Sequence, residues 1–233
     1  MDKLKHIYSH QAAEYHNLIK FEDVDCNLLP TINRISPIKG KRLLDLGTGT
    51  GRIPLLVNHL TSNIVGLDLH WDMLREHKVQ KELKGGVWEL AHADMRYLPI
   101  RSTNFDIITA GWSISAFRVW EDEDWENHIG RVINEMHRTI KPGGVLIIIE
   151  TMTTASTAPA PPTQELGEYY SWLENEWGFT REVVQTDYQF DNLDQAVTMI
   201  DFFFGQETAD TVRENNWVRV PEWTGIWNKI VSG

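Results

Sequence analysis

Two rhythms of apolar and polar positions alternate along the chain. Largely apolar runs occupy residues 43–46, 63–68, 105–112 and 145–150. Runs of that length without polar alternation predict strands buried on both faces of a parallel sheet. Residues 87–93 alternate instead, with Val87, Glu89 and Ala91 set against Trp88, Leu90 and His92, and predict a further strand between the second and third of those runs. Between the strands the spacing is helical, over residues 53–60, from His70 to about Leu83, and over residues 125–140. Before the first strand, residues 4–18 predict one continuous helix with Ile7, Tyr8, Ala12, Tyr15 and Leu18 near one face, and a second helix is centred on residues 28–35. Beyond residue 150 the pattern predicts a helix over 166–177, a strand over 179–190, helices over 193–204 and 207–215, and a last strand over 218–231.

Strand and helix in strict alternation define an α/β protein with a doubly wound sheet. Such sheets bind ligands at the carboxyl ends of their strands. Three carboxylates lie there: Asp45, Asp68 and Asp94 close three successive predicted strands. The first strand opens into Gly47-Thr48-Gly49-Thr50-Gly51, then into a helix. Strand, glycine turn and helix form the layout of a cofactor loop, because helix-start amides have no intrahelical partner and glycine lets a ligand approach the backbone. A dinucleotide fingerprint requires G-x-G-x-x-G. Here the third glycine comes one residue early, which argues against a nicotinamide oxidoreductase. Asp45, two residues before the first glycine, suits a cationic group on the ligand better than a pyrophosphate.

The chain has 233 residues, enough for one α/β domain, and shows neither an internal repeat nor a linker long enough to separate a second one. Its net charge of −11 carries no basic footprint for nucleic acid. With Cys26 as the one cysteine, no internal disulfide can form, and a cytoplasmic protein is expected. The N-terminus leads into no apolar signal core, and the run at residues 145–149 is too short to span a bilayer, so no membrane partner is expected. His6 and His10 share a helical face near His16 but lack further ligands, so no metal site is expected. The acidic stretch at residues 120–125 reads as a solvated helix start. Residues 153–163, rich in threonine, alanine and proline, have the composition of a mobile loop that could cover a ligand.

Asp45-Leu46-Gly47-Thr48-Gly49-Thr50-Gly51 resembles the D-x-G-x-G-x-G signature of class I S-adenosylmethionine-dependent methyltransferases. Further stretches resemble the same family. They are Tyr8 to Tyr15 with its Y-x(3)-A-x-x-Y pattern, Asp94 to Ile100, Phe105-Asp106, and Ile140-Lys141-Pro142-Gly143-Gly144. The resemblance implies a Rossmann-like seven-stranded mixed sheet in the order 3-2-1-4-5-7-6, with the last strand antiparallel and helices on both faces. It implies a single domain, residues 1–233, divided into a helical N-terminal cap (1–38), a cofactor-binding core (39–151) and a lid loop with a substrate-side C-terminal half (152–233). It also implies the cofactor residues. Asp45 would hold the methionyl ammonium, and Gly47, Thr48, Gly49 and Gly51 would admit the ligand to the backbone. Asp68 would take the ribose hydroxyls, while Leu69, Met73, Asp94 and Met95 would meet the adenine. Ala110 and Gly111 would lie beside the transferred methyl, and Tyr15 would cover the methionyl end.

The function expected is methyl transfer from S-adenosylmethionine to a small molecule, chiefly by aligning an in-line attack and excluding water. A general base is required only for a protonated nucleophile. His16, His128, Glu150 and Tyr169 are the candidates. The alternatives are a non-catalytic S-adenosylmethionine-binding partner protein and a methyltransferase acting on protein or nucleic acid. The latter is disfavoured by the acidic charge and by the lack of an Asn/Asp-Pro-Pro-Tyr/Phe motif after the fourth strand.

Overall fold

A computed structural model describes residues 3–120 and 122–232. Nine strands and ten α-helices follow in chain order among the described residues. Helices α1 (Lys3–His10), α2 (Ala12–Ile19) and α3 (Leu28–Ile35) precede β1 (Leu43–Leu46). Next come α4 (Arg52–Val57), β2 (Ile64–Asp68), α5 (Trp71–Leu83), β3 (Glu89–His92) and β4 (Phe105–Gly111). Helix α6 (Ser115–Trp120), a 3-10 turn at Asp122–Asp124 and α7 (Trp125–Thr139) lead to β5 (Ile140–Thr154). The chain closes with α8 (Gln164–Asn175), β6 (Thr180–Gln185), β7 (Tyr188–Gln189), α9 (Leu193–Phe204), α10 (Gln206–Glu214), β8 (Arg219–Val220) and β9 (Glu222–Ile230). Glu121, within the predicted acidic stretch, lies outside the described residues.

The main sheet runs β3-β2-β1-β4-β5-β9-β6, and β7 pairs with β8 in a separate two-stranded ribbon. Counting only strands of the main sheet, this is the expected order 3-2-1-4-5-7-6. Strand β9 is antiparallel to both its neighbours, whereas β1 to β5 are mutually parallel.

Period-two alternation divides the central strands between two cores. Leu44, Leu46, Ile108, Ala110, Leu146 and Ile148 pack on one face against α7 and α8. Leu43, Ile107, Val145, Ile147 and Ile149 pack on the other against α3 and α4. Both faces are covered, which accounts for the near-continuous apolar runs. A third cluster joins α9 and α10 to the β7–β8 ribbon, with Leu18 of α2 inserted into it.

Several expected elements are revised. The helix over residues 4–18 is two helices, broken where Gln11 leaves helical geometry at φ −132°, ψ 38°. The break lets α2 turn Leu18 into the third core while α1 stays near the strand ends. The strand over 179–190 is β6 plus β7, because Asp187 between them turns inward to Arg219 and the Glu222 amide. The strand over 218–231 is interrupted at Pro221, which has no N–H for a ladder. Strand β5 outruns residues 145–150 because β9 pairs with it as far as Thr154–Glu222. Residues 153 and 154 of the expected loop are therefore strand.

Candidate active site

The carboxyl ends of β1, β2 and β4 meet the helical N-terminus across a cleft. Its floor is the glycine loop. Asp45 is 2% exposed and faces Thr109 on β4 across the parallel pairing. Its Oδ1 accepts from Thr109 Oγ1 at 2.6 Å and its Oδ2 from Thr48 Oγ1 at 2.7 Å. Burial pushes its carboxyl up to about 7 in spite of both donors. Asp68, at the end of β2, ties down two loops: Oδ2 accepts from the Gly49 amide and Oδ1 from the His70 amide, both at 2.8 Å. Burial raises its pKa as well.

Gly49 and Gly51 differ in what their missing side chains leave room for. Gly49 has φ +53° and a Cβ there would meet no protein atom within 4 Å. Gly51 has φ +97° and a Cβ there would lie 2.5 Å from the imidazole of His77. The buried His77 ring accepts from the Trp88 indole at 3.0 Å and props the loop from below.

The cleft encloses about 990 Å³ of atom-free space, open mouth included. The structure brings Tyr15, Asp45, Gly47, Thr48, Gly49 and Asp68 to its wall, together with Leu69, Met73, Met95 and Gly111. It does not bring Gly51, Asp94 or Ala110 there. Gly51 faces His77, and Ala110 points into the core shared with α7. The Asp94 carboxylate accepts from the Arg96 backbone amide and guanidinium, at 2.7 to 3.1 Å. Sequence reasoning missed Arg52, Arg96 and Phe117, all on the wall. Arg52 directly follows the glycine run, a position that could have drawn notice. The stacking of Arg96 on Phe117 at 5.0 Å has no linear signal.

A second cavity shares part of its wall with the first. Tyr8, Tyr15, Ile19, Arg52 and Trp112 line both. Its further walls come from the end of β5, from α8 and from α9, and include Glu22, Glu150, Thr154, Leu166, Phe203 and Phe204. Of the four candidate bases, Glu150 lines the second cavity, and His16, His128 and Tyr169 line neither of the two. His16 Nδ1 lies 2.9 Å from Thr50 Oγ1, and burial lowers its pKa. His128 stacks on Phe117 and contacts Arg96 at 2.9 Å. Tyr169 is fully buried behind Glu150 and donates to it at 3.5 Å. The rings of His6 and His10 stack at 4.8 Å, and no group of three or more metal-ligating side chains occurs among the described residues.

A parallel sheet with one antiparallel strand inserted before its edge, a glycine loop after β1 and acids at the ends of β1 and β2 are the arrangement expected from the resemblance to class I S-adenosylmethionine-dependent methyltransferases. Residues 44–148 match the family described as "Methyltransferase domain". The chain is similar to the demethylmenaquinone methyltransferase of Oceanobacillus iheyensis, with 27% identity over 157 residues, 64% of this chain and 62% of the relative. It is also similar to the malonyl-[acyl-carrier protein] O-methyltransferase of Legionella pneumophila, with 26% identity over 63% of this chain and 49% of the relative. It thus spans less than two thirds of either. In fold it resembles the phosphoethanolamine N-methyltransferase 2 of Haemonchus contortus in complex with S-adenosyl-L-methionine. The TM-score is 0.60 at 15% identity, covering 100% of this chain and 60% of that one.

Proposed function

We propose that the protein transfers a methyl group from S-adenosylmethionine to a small molecule held in the second cavity. The observation that carries this reading is that Tyr15, Arg52 and Trp112 line both cavities.

The cleft fits the cofactor. Asp45 is a buried carboxyl with hydroxyl partners and no cation beside it, and a methionyl ammonium supplies that cation. Asp68 accepts from the Gly49, His70 and Leu69 amides and retains acceptor capacity for a ribose hydroxyl. Gly47 and Gly49 would admit the ligand, Leu69, Met73 and Met95 would flank the base, and Tyr15 would cover the methionyl end. Asp94 could accept the adenine amino group only if Arg96 released part of its carboxylate. When bound, the sulfonium supplies a methyl group that is already electrophilic. The chain's part is then to align the acceptor and exclude water. In this reading residues 39–151 hold the cofactor, residues 1–38 cap it and residues 152–233 shape the acceptor side. No helix among the described residues is long and apolar enough to cross a membrane, and a cytoplasmic location belongs to the proposal.

The test is thermal stabilisation by S-adenosylmethionine against NAD, followed by a screen for labelled methyl transfer. Stabilisation by NAD alone would overturn the reading. Stabilisation by S-adenosylmethionine without any methylated product would favour the binding-protein alternative.

A further inference from the structure

The second cavity has a definite chemistry. Gly111, on the cofactor wall, pairs across the sheet with Ile149, and the Trp112 amide donates to the Ile149 carbonyl at 2.6 Å. The next residue of β5 is Glu150, 1% exposed, on the wall of the second cavity. Its carboxylate therefore lies one strand away from where the cofactor cleft ends.

The charged side chains on that wall are Glu22, Arg52 and Glu150. Arg52 is committed, with Nη2 2.5 Å from Glu22 Oε1 and its guanidinium laid on Trp112. Glu150 has no such partner among the described residues. Its donors are the Ser115 amide at 2.9 Å, Ser115 Oγ at 2.8 Å and Tyr169 Oη at 3.5 Å. The Ile114 backbone amide adds a further donor, and all of these donors are neutral, so the carboxylate's charge is hydrogen-bonded but not neutralised. An anionic acceptor would meet two carboxylates and a cation already neutralised, and such like-charge contacts are strongly unfavourable away from water. An ammonium would supply the missing counter-charge. The remaining surface sets Leu18, Ile19, Leu166, Phe203 and Phe204 beside five threonines and suits a largely apolar body.

We propose that the second cavity takes an amine carried on an apolar body, and that Glu150 pairs with its ammonium and accepts its proton. The inference rests on the methyl-transfer reading above. The N–H bond breaks and the proton passes to a Glu150 Oε. The freed lone pair forms the N–C bond to the methyl as the C–S bond breaks, and that bond's electron pair stays on sulfur. Burial raises the Glu150 carboxyl to about 7, a value suited to taking a proton near neutral pH.

The test is calorimetry on the full chain saturated with S-adenosylhomocysteine. The probes are hexyl, phenylethyl and indolylethyl compounds, each as the amine, the alcohol and the carboxylate. At least one amine should bind about tenfold to a hundredfold tighter than its matched alcohol and carboxylate, as expected for a hydrogen bond to a charged group. Glu150→Gln keeps an acceptor for the Ser115 amide but not the charge. It should erase that preference while S-adenosylhomocysteine binds as before. An alcohol or carboxylate that binds as well as the amine, no binding by any probe, or a preference that survives in folded Glu150→Gln would overturn the inference. If that variant does not fold, the wild-type probe series decides alone. Failure of S-adenosylhomocysteine itself to bind would instead overturn the methyl-transfer reading.

Discussion

The Arg52 guanidinium carbon lies 3.4 Å from the centroid of the Trp112 ring, where the two cavities meet. Trp112 is held at φ +51°, a left-handed conformation uncommon outside glycine. The same guanidinium is paired with Glu22, whose side chain is 2% exposed and whose Oε2 accepts from the Tyr188 hydroxyl at 2.8 Å. The first residue of α4, the segment after α2 and the end of β4 are thus joined through one charge. Removing one member of a buried pair strands the other. Arg52→Met should destabilise the fold by about 3 kcal/mol, the low end for buried pairs because Arg52 stays 16% exposed. Arg52→Met combined with Glu22→Gln should recover most of that loss. Urea unfolding measures both, and a double variant no more stable than Arg52→Met would show that the pair is not coupled.

The glycine loop makes a prediction with two arms. Gly51→Ala sets a methyl against the His77 ring at a φ that alanine resists, so it should cost stability, by about 1–3 kcal/mol from the backbone conformation and more from the clash. Gly49→Ala meets no protein atom and should cost only the left-handed backbone term, about 1–2 kcal/mol. Its methyl enters open space at the wall of the cleft, so its main effect should be weaker binding of S-adenosylhomocysteine. Calorimetry on both folded variants separates the two. Normal binding by Gly49→Ala would mean that this glycine serves the turn and not the ligand.

Asp45 links stability to pH. Its folded pKa, raised to about 7, exceeds its unfolded value, so the folded state holds the extra proton. That contribution is complete below about pH 4 and is lost as pH rises towards 7, a change of no more than about 4 kcal/mol. Asp68 and Glu150 are raised in the same direction, so wild type alone does not isolate it. The difference from Asp45→Asn does, because the amide cannot titrate and the Thr48 and Thr109 hydroxyls can rotate to meet it. Urea midpoints of the two proteins should lie close below about pH 4, and that of wild type should fall progressively below that of Asp45→Asn as pH rises through that window. Binding a methionyl ammonium beside Asp45 should also release protons near neutral pH, read by calorimetry in buffers of different ionisation enthalpy. Parallel stability curves would remove Asp45 as the titrating group.

What the sequence made legible was what lies close along the chain. Asp45, the glycine run and Asp68 sit at strand ends that apolar runs mark, so their convergence follows from topology. The second cavity was not legible. Glu22, Arg52, Trp112 and Glu150 come from four distant segments and meet only through side-chain orientation. Asp94 shows a different limit: its position at a strand end was clear, but the choice of Arg96 as partner is a rotamer outcome. Gly51 was read as room for a ligand, whereas the group beside it is His77, a full helix further on. The break at Gln11 was hidden because the apolar spacing continues through it, whereas Pro221 was a visible break within the strand expected over 218–231.

That break leads to the last expectation. Tyr8 and Tyr15 do not stack along one helix but face each other from α1 and α2, with ring centroids 5.6 Å apart at 89°. Both line the cofactor cleft, and Phe203 of α9 contacts each. The two helices are anchored unequally. Helix α2 buries Ala12, Leu18 and Ile19, whereas α1 buries Ile7 alone. Few buried apolar contacts mean a low free energy of local opening. Helix α1 should therefore be the moving part of the cap, and α2 its fixed hinge side. Amide hydrogen exchange over Lys3–His10 should be faster than over Ala12–Ile19 in the free protein, and S-adenosylhomocysteine should slow the first far more than the second. Deleting residues 1–10 removes one buried isoleucine, about 1.5–3 kcal/mol, so most of the fold should survive. The same deletion should speed dissociation of S-adenosylhomocysteine, because the Tyr8 edge of the cleft is gone. Slow exchange of α1 that is identical with and without ligand would mean a permanently packed helix, with Tyr8 and Tyr15 serving the core and not a closing lid.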